Sequence, residues 1–181
     1  MKFSETPLHG AYVIEIEAQE DERGFFSRVV CCTEFSQFGL NMNFVQQSIS
    51  WNPLRGTLRG LHFQESPFAE DKLIRVTAGA IFDVMVDIRP QSATFGQWFG
   101  LELTEQNRRQ VYIPKGFAHG FQTLEPNTEV FYQMTTPYMV TAARGIRWDD
   151  SFLSIQWPFP VSAIISPKDM QLPNWQDIKG W

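Results

Sequence analysis

Apolar and polar residues alternate along much of this chain in short runs that glycine and proline interrupt. Residues 73–77 and 81–88 form two such runs, and Ala78-Gly79-Ala80 separates them as a turn or bulge. A period of two is typical of β-strands, whose successive side chains point to opposite faces. Many short strands between turn residues predict an all-β sandwich or barrel rather than βαβ units. Further strands are predicted at 11–17, 25–30, 44–50, 98–103, 110–113 and 130–134, and short helices at 32–38, where Thr33 would be the cap, and after Pro167.

The length and composition indicate an ordinary globular chain. Its 181 residues contain no internal repeat, low-complexity tract or linker, which predicts a single domain over 1–181. An apolar content of 43% excludes an intrinsically disordered chain. No apolar run could span a bilayer, and the first residues lack the apolar core of a secretory signal. The net charge of −5 is spread without blocks, so we expect neither a membrane nor a nucleic-acid partner.

The two cysteines, Cys31 and Cys32, are adjacent. A disulfide between neighbours would strain the backbone, so we expect free thiols in a reducing compartment, which favours the cytoplasm. The pair could be redox-active, but packed strand residues are the simpler interpretation.

Two of the three histidines lie in glycine-rich and cation-rich segments. His62 follows Arg59-Gly60-Leu61, and His119 lies between Gly116 and Gly120. A neutral imidazole beside cations suits an anionic substrate, on which it can act as a base near neutral pH. A satisfied core histidine is the alternative. Strict alternation puts Arg59 and His62 on opposite faces, so both reach one pocket only where Gly60 marks a bulge or bend.

A metal site is the other chemistry that two histidines suggest. Sandwich metal sites often contain a His-x-His pair with a glutamate a few residues later, but the residue two positions after His62 is Gln64. His62, His119 and a distant carboxylate could still converge in space. Without a short-range pair we expect no metal.

Several segments, in consistent order over about residues 5–170, carry a family resemblance. They are 55–64 (RGTLRGLHFQ), 72–76 (KLIRV), 83–89 (DVMVDIR), 92–98 (SATFGQW), 113–121 (IPKGFAHGF), 145–150 (GIRWDD) and 166–169 (SPKD). Together they resemble the dTDP-4-dehydrorhamnose 3,5-epimerase family. The resemblance implies a cupin-type jelly-roll β-sandwich with short peripheral helices, a homodimer, and catalysis without metal or organic cofactor.

The resemblance also implies a reaction, the inversion of C3, C5 or both beside the C4 ketone of a nucleotide-linked 4-keto-6-deoxyhexose. Such an inversion needs a base, a cation or donor for the enolate, and an acid on the opposite face. His62 matches the base, Asp169 its carboxylate partner, Lys72 the cation at the C4 oxygen and Tyr132 the acid. The implied substrate contacts are Gln47, Arg59 and His119, with Arg23 on a phosphate and Phe26 and Tyr138 as aromatic walls around the nucleoside.

Three positions depart from the family pattern: Arg28 replaces an acid, Ser48 an asparagine and Gln133 a lysine. The acid lies near thymine in the family, where it can accept the N3–H, whereas cytosine N3 needs a donor and arginine only donates. A CDP-linked substrate, with inversion at C3 or C5, is therefore one alternative. A guanidinium that points to solvent or to a phosphate is the simpler explanation.

The number of inverted carbons depends on how the sugar ring lies between His62 and Tyr132. A sugar-nucleotide ketoisomerase and a non-catalytic binding protein also remain open, because one fold hosts many functions. The combination of His62, Asp169 and Tyr132 argues against both.

Overall fold

The computed structural model describes residues 1–160 and 164–178 as two antiparallel sheets with a separate hairpin. The strands are β1 Lys2–Glu5, β2 Tyr12–Glu15, β3 Gln19–Asp21, β4 Gly24–Phe26, β5 Gln46–Asn52, β6 Leu58–Gln64, β7 Lys72–Ala78, β8 Ala80–Asp87, β9 Trp98–Thr104, β10 Gln110–Ile113, β11 Phe117–Thr123, β12 Thr128–Met134 and β13 Ala143–Gly145. The helices are α1 Cys32–Ser36 and α2 Pro167–Met170, followed by a 3₁₀ turn at Trp175–Asp177. The prediction of an all-β sandwich with short peripheral helices is confirmed.

The two sheets pack face to face. One has the strand order β1-β2-β10-β7-β12-β5, the other the order β13-β6-β11-β8-β9, and β3 pairs only with β4. The layer between the sheets contains Ile74 and Val130 from the first and Met85, Leu103 and Phe121 from the second. Burial of these apolar side chains is the main favourable contribution to folding.

The outer faces of both sheets are also partly covered, which explains the apolar run in β8. Its alternate side chains Val84 and Val86 pack against Leu153 and Ile155 of the C-terminal segment, while Ile81 and Met85 face the inner layer. A strand that is buried on both faces reads as a continuous apolar run. Phe35 of α1 covers part of the other sheet, against Leu73.

Both predicted helices are present, and they begin in different ways. Ser166 caps α2, because its Oγ accepts the Asp169 N–H at 3.0 Å, and Pro167 occupies the first turn. The prediction of Thr33 as the cap of α1 is wrong: Cys31 is the cap residue, without a side-chain cap bond, and Thr33 lies inside the helix.

The cysteines are free, as predicted, but they are not strand residues. Cys31 precedes α1 and Cys32 is its exposed first residue, because the predicted strand over 25–30 ends at Phe26. In the described part of the chain, no helix is long and apolar enough to cross a membrane.

Candidate active site

A cavity of about 450 Å³ opens between the two sheets. Strands β6 and β11 of one sheet contribute His62 and His119 to its wall, and strands β7 and β12 of the other contribute Lys72 and Tyr132. The sandwich therefore places the two histidines opposite the lysine and the tyrosine. The cavity is lined by Gln46, Ser48, Ile49, Ser50, Arg59, His62, Phe63, Gln64, Glu70, Lys72, His119, Phe121, Tyr132, Met134, Thr136, Tyr138, Ala143, Arg144, Lys168 and Leu172.

His62 is held by a carboxylate from the C-terminal segment. Its Nε2 lies 2.7 Å from Asp169 Oδ1, and the other Asp169 oxygen accepts the Gly60 N–H at 3.4 Å. The segment returns to this place because Leu58 pairs with Ile165 in a parallel bridge. Burial alone would raise the pKa of Asp169, but hydrogen bonds from His62, Gly60 and Ser166 hold it below its usual value. Asp169 is therefore an ionised, buried partner for a half-exposed imidazole.

A bulge in β6 lets Arg59 and His62 face the same cavity. Along the pairing with β11, His62 is opposite His119 and Arg59 is opposite Phe121. Three steps on β6 thus match two steps on β11, so β6 contains one extra residue and its alternation shifts. At Gly60 the backbone has φ +124°, and an added Cβ would lie 2.6 Å from Gly120 Cα. The bulge at Gly60 that a shared pocket for Arg59 and His62 requires is therefore present.

Lys72 enters the cavity as half of a buried ion pair. Its ammonium contacts Glu70 Oε1, and Gln64 Nε2 donates to Glu70 Oε2 at 2.9 Å. Only 11% of the Lys72 side chain and 6% of the Glu70 side chain are exposed.

His119 and Tyr132 come from opposite sheets and meet in the cavity. His119 Nε2 lies 2.7 Å from Asp83 Oδ2, and both residues are buried. The His119 and Tyr132 rings meet edge to face with centroids 6.0 Å apart. Burial, and then the negative charge of Asp83, raise the pKa of Tyr132 far above its usual value, and the smaller effect of Arg59 opposes them. The phenol therefore stays protonated at neutral pH.

Some predicted substrate contacts do not line this cavity. Arg59, His119 and Tyr138 line it, but Gln47 does not: its neighbours Gln46 and Ser48 face the cavity, because β5 alternates. Arg23, Phe26 and Arg28 belong to the β3–β4 hairpin and the segment after it, also outside the cavity walls. Arg23 forms an ion pair with Asp21, and Phe26 is 76% exposed.

The three departures from the family pattern lie in different places. Ser48 lines the cavity, whereas Gln133 does not. The Arg28 guanidinium lies 3.3 Å from Glu34 Oε1, and the same glutamate holds the N-terminal ammonium at 2.6 Å.

Sequence reasoning assigned no role to two cations at the cavity, Lys168 and Arg144. Each lies beside or within a quoted family segment, so proximity to Asp169 and to Gly145 was the available signal. No role was assigned to Glu70 or Asp83 either. Asp83 reaches His119 only through the pairing of β8 with β11. Glu70 lies two residues before Lys72, and the sequence does not show that both side chains are buried. Within 1–160 and 164–178, no group of three or more His, Cys, Asp or Glu residues could hold a metal ion.

Comparison with known proteins shows similarity over nearly the whole chain. A sequence model of the family described as dTDP-4-dehydrorhamnose 3,5-epimerase matches residues 5–177. The enzyme of that name from Methanothermobacter thermautotrophicus is 44% identical over 98% of this chain and 95% of its own length.

Solved structures agree with this match. The dTDP-4-dehydrorhamnose 3,5-epimerase from Bacillus anthracis, with TDP and PPi bound, is 44% identical, with a TM-score of 0.92 over 96% of this chain and 98% of that one. The dTDP-6-deoxy-D-glucose-3,5-epimerase from Legionella pneumophila, in complex with dTDP-4-keto-L-rhamnose, is 38% identical, with a TM-score of 0.92 over 98% of this chain and 94% of that one. The expected cupin-type sandwich is thereby confirmed. Because epimerases are isomerases, the expected enzyme class, an isomerase acting on a nucleotide sugar, is confirmed as well. The chain belongs to the dTDP-4-dehydrorhamnose 3,5-epimerase family.

Proposed function

We propose that this chain inverts C3 and C5 of a dTDP-linked 4-keto-6-deoxyhexose, as a step of deoxysugar biosynthesis. One observation carries the proposal: a single cavity receives His62, backed by Asp169, from one sheet and Lys72 and Tyr132 from the other. A carbon beside a ketone can be inverted when a base and an acid act on opposite faces and a donor holds the enolate oxygen.

His62 is the proposed base. Its Nε2 is engaged by Asp169, which leaves Nδ1 for the substrate. The imidazole takes the proton from C3 or C5, and the electron pair of the broken C–H bond moves onto the C4 oxygen. The Asp169 carboxylate stabilises the imidazolium that forms.

Lys72 and Tyr132 are the proposed enolate donor and acid. The Lys72 ammonium donates to the C4 oxygen while that oxygen carries negative charge. Tyr132 approaches from the opposite sheet and gives its phenolic proton to the carbon, which restores the ketone with inverted configuration. The role is supported by position: Tyr132 lines the same cavity as His62 and comes from the other sheet.

The nucleotide diphosphate is proposed to lie against the cations Arg59, Arg144 and Lys168, which line the same cavity. Arginine and lysine are the usual phosphate-binding residues. We propose dTDP as the nucleotide, as in the relative that contains TDP. Arg28, which motivates the cytidine alternative, is occupied by Glu34 outside these walls.

We further propose a homodimer in which Arg23 and Phe26 of one chain contact the substrate of its partner. Neither residue lines the cavity of its own chain, and the apolar rings of Phe26 and Trp51 are exposed. Trp51 on edge strand β5 is 58% exposed, and Ile49 on the same strand, which also borders the cavity, is 61% exposed. An apolar edge of this kind is typical of an interface.

Free cysteines support a cytoplasmic location.

Proton NMR in D₂O tests the reaction. The chain is incubated with dTDP-4-keto-6-deoxyglucose, and with the matched CDP sugar. Deuterium at C3 and C5 with the ketone still at C4, and formation of dTDP-4-keto-L-rhamnose, are the expected results. Label at one carbon only would indicate a single inversion, and faster turnover of the CDP sugar would favour the cytidine alternative. A carbonyl that moves to C3 would indicate a ketoisomerase, and binding without exchange a non-catalytic protein.

A further inference from the structure

The ion pair between Glu70 and Lys72 lies at the wall of the cavity, where both side chains are almost fully buried. Burying an unpaired ammonium is costly, and a buried charge is normally paired and hydrogen-bonded. Lys72 can therefore occupy this wall because Glu70 accompanies it.

Glu70 is itself held from its other side. Gln64 Nε2 donates to Glu70 Oε2 at 2.9 Å, and Gln64 Oε1 accepts the Met139 N–H at 2.6 Å. The same Gln64 amide donates to the Phe68 carbonyl at 3.0 Å. Because oxygen and nitrogen of the amide both have partners, the orientation of Gln64 is determined, and with it the position of the Glu70 carboxylate.

The arrangement links the lysine to the strand that carries the base. His62 and Gln64 are two residues apart on β6, and both line the cavity. Strand β6 thus positions the imidazole directly and, through Gln64 and Glu70, the ammonium of Lys72 on the opposite sheet.

The Lys72 ammonium has three N–H bonds, and in the described part of the chain Glu70 is its one hydrogen-bond acceptor. The other N–H bonds remain available on the cavity side. A carboxylate fixed behind the ammonium determines where those bonds point, much as Asp169 determines the orientation of His62.

We propose that Glu70 is a positioning residue that aims the Lys72 ammonium at the C4 oxygen of the substrate; this inference rests on the proposed function. When the C–H bond breaks and the electron pair moves to the C4 oxygen, the aimed N–H bonds meet the developing charge without reorganisation. Without Glu70 the flexible lysine side chain takes other positions, and a displacement of about 1 Å lowers the rate roughly 10²-fold.

The variant Glu70→Gln tests the proposal. The new amide has only one oxygen. When that oxygen faces Lys72, the NH₂ group of the same amide faces the NH₂ group of Gln64, so two hydrogen-bond donors oppose each other. We expect kcat for dTDP-4-keto-6-deoxyglucose to fall roughly 10- to 100-fold. The dissociation constant of dTDP, which lacks the sugar, stays within about threefold of the wild-type value, since diphosphate and base contacts are kept.

Asp71→Asn is the matched control. Asp71 lies between Glu70 and Lys72 in the chain and is equally buried, but its carboxylate accepts from Lys115 N and Thr135 Oγ1. This variant should lose stability while the folded protein keeps its kcat within about twofold of wild type. Should Glu70→Gln fail to fold, Glu70→Asp, which moves the charge back by one methylene, makes the same test with an intermediate loss of kcat.

Two results would overturn the proposal. One is a folded Glu70 variant whose kcat is within about twofold of the wild-type value. The other is an equal loss of kcat and of dTDP affinity in the Glu70 and Asp71 variants, because that would indicate a structural role for both residues. Absence of deuterium exchange in the wild-type protein would instead contradict the proposed function. The positioning is then judged from crystal structures: Lys72 Nζ displaced in Glu70→Gln supports it, and Nζ unmoved contradicts it.

Discussion

His62 and Asp169 are 107 residues apart in the chain, yet His62 Nε2 lies 2.7 Å from Asp169 Oδ1. The parallel bridge between Leu58 and Ile165 and the cap of α2 hold the carboxylate there. The base and the carboxylate that orients it thus come from distant parts of the chain, and their contact depends on the C-terminal segment.

Asp169→Asn should lower kcat by about 10²- to 10⁴-fold, because the imidazolium loses its counter-charge and the imidazole its fixed orientation. Steady-state kinetics with dTDP-4-keto-6-deoxyglucose measure the effect. Asp177→Asn, an exposed change in the same segment, is the control and should leave kcat unchanged. Full activity in Asp169→Asn would contradict the assignment of this carboxylate.

Tyr132→Phe separates proton removal from inversion. The variant keeps His62, so deuterium should still enter the substrate from D₂O, but the proton is returned to the original face. We expect product formation to fall about 10²-fold or more while exchange with retained configuration continues. NMR follows both processes in one sample, and normal inversion in the variant would exclude Tyr132 as the acid.

Gly60→Ala should reduce the free energy of unfolding by about 3 kcal/mol or more, since the added Cβ would lie 2.6 Å from Gly120 Cα. Gly24→Ala is the matched control, because Gly24 has the same φ of +124° but nothing within 4 Å of the added Cβ. It should cost less, about 1 kcal/mol from the strain of its φ alone. Urea denaturation measures both variants, and equal losses would show that φ, rather than the contact with β11, requires glycine.

Stability should decrease in acid through Asp87. Burial would raise the pKa of this carboxyl, but hydrogen bonds from Arg89, Ser92 and Thr94 lower it to about 2. A depressed pKa stabilises the folded state above the usual value near 3.8, and this contribution is lost as the pH falls from there towards 2.

Asp87→Asn should therefore cost about 2 kcal/mol at pH 7 and flatten the acid limb of the stability curve. Urea titrations between pH 2 and pH 7 check this. Asp149→Asn, which removes a partly exposed partner of Arg147, should change stability by less than about 1 kcal/mol. An unchanged acid limb in Asp87→Asn would contradict the assignment.

Trp51→Lys tests the proposed dimer. The lysine faces Glu129 across the β5–β12 pair, so the strand is kept while the apolar edge gains a charge. We expect a monomer in sedimentation velocity and reduced turnover, because Arg23 and Phe26 no longer reach a partner's cavity. Phe152→Lys, at another apolar residue with 65% exposure, should remain dimeric. A Trp51→Lys dimer with normal turnover would place the interface elsewhere.

Local sequence determined much of this protein. The period of two predicted the strands around Ile74 and Val84, and Pro167 predicted the start of a short helix, because side-chain alternation and helix initiation act over a few residues. The family resemblance singled out His62, Lys72, Tyr132 and Asp169. The first three line the same cavity, and the buried Asp169 supports His62 there.

Tertiary structure decided what depends on register. One extra residue at Gly60 turns Arg59 to the side of His62, and the alternation of β5 turns Gln47 away from the cavity that Gln46 and Ser48 line. A shift of one residue moves every following side chain to the other face, and sequence periodicity does not record which residue is skipped. Glu70 and Lys72 are only two residues apart in the chain, but their burial as an ion pair at the cavity wall depends on the packed sheets.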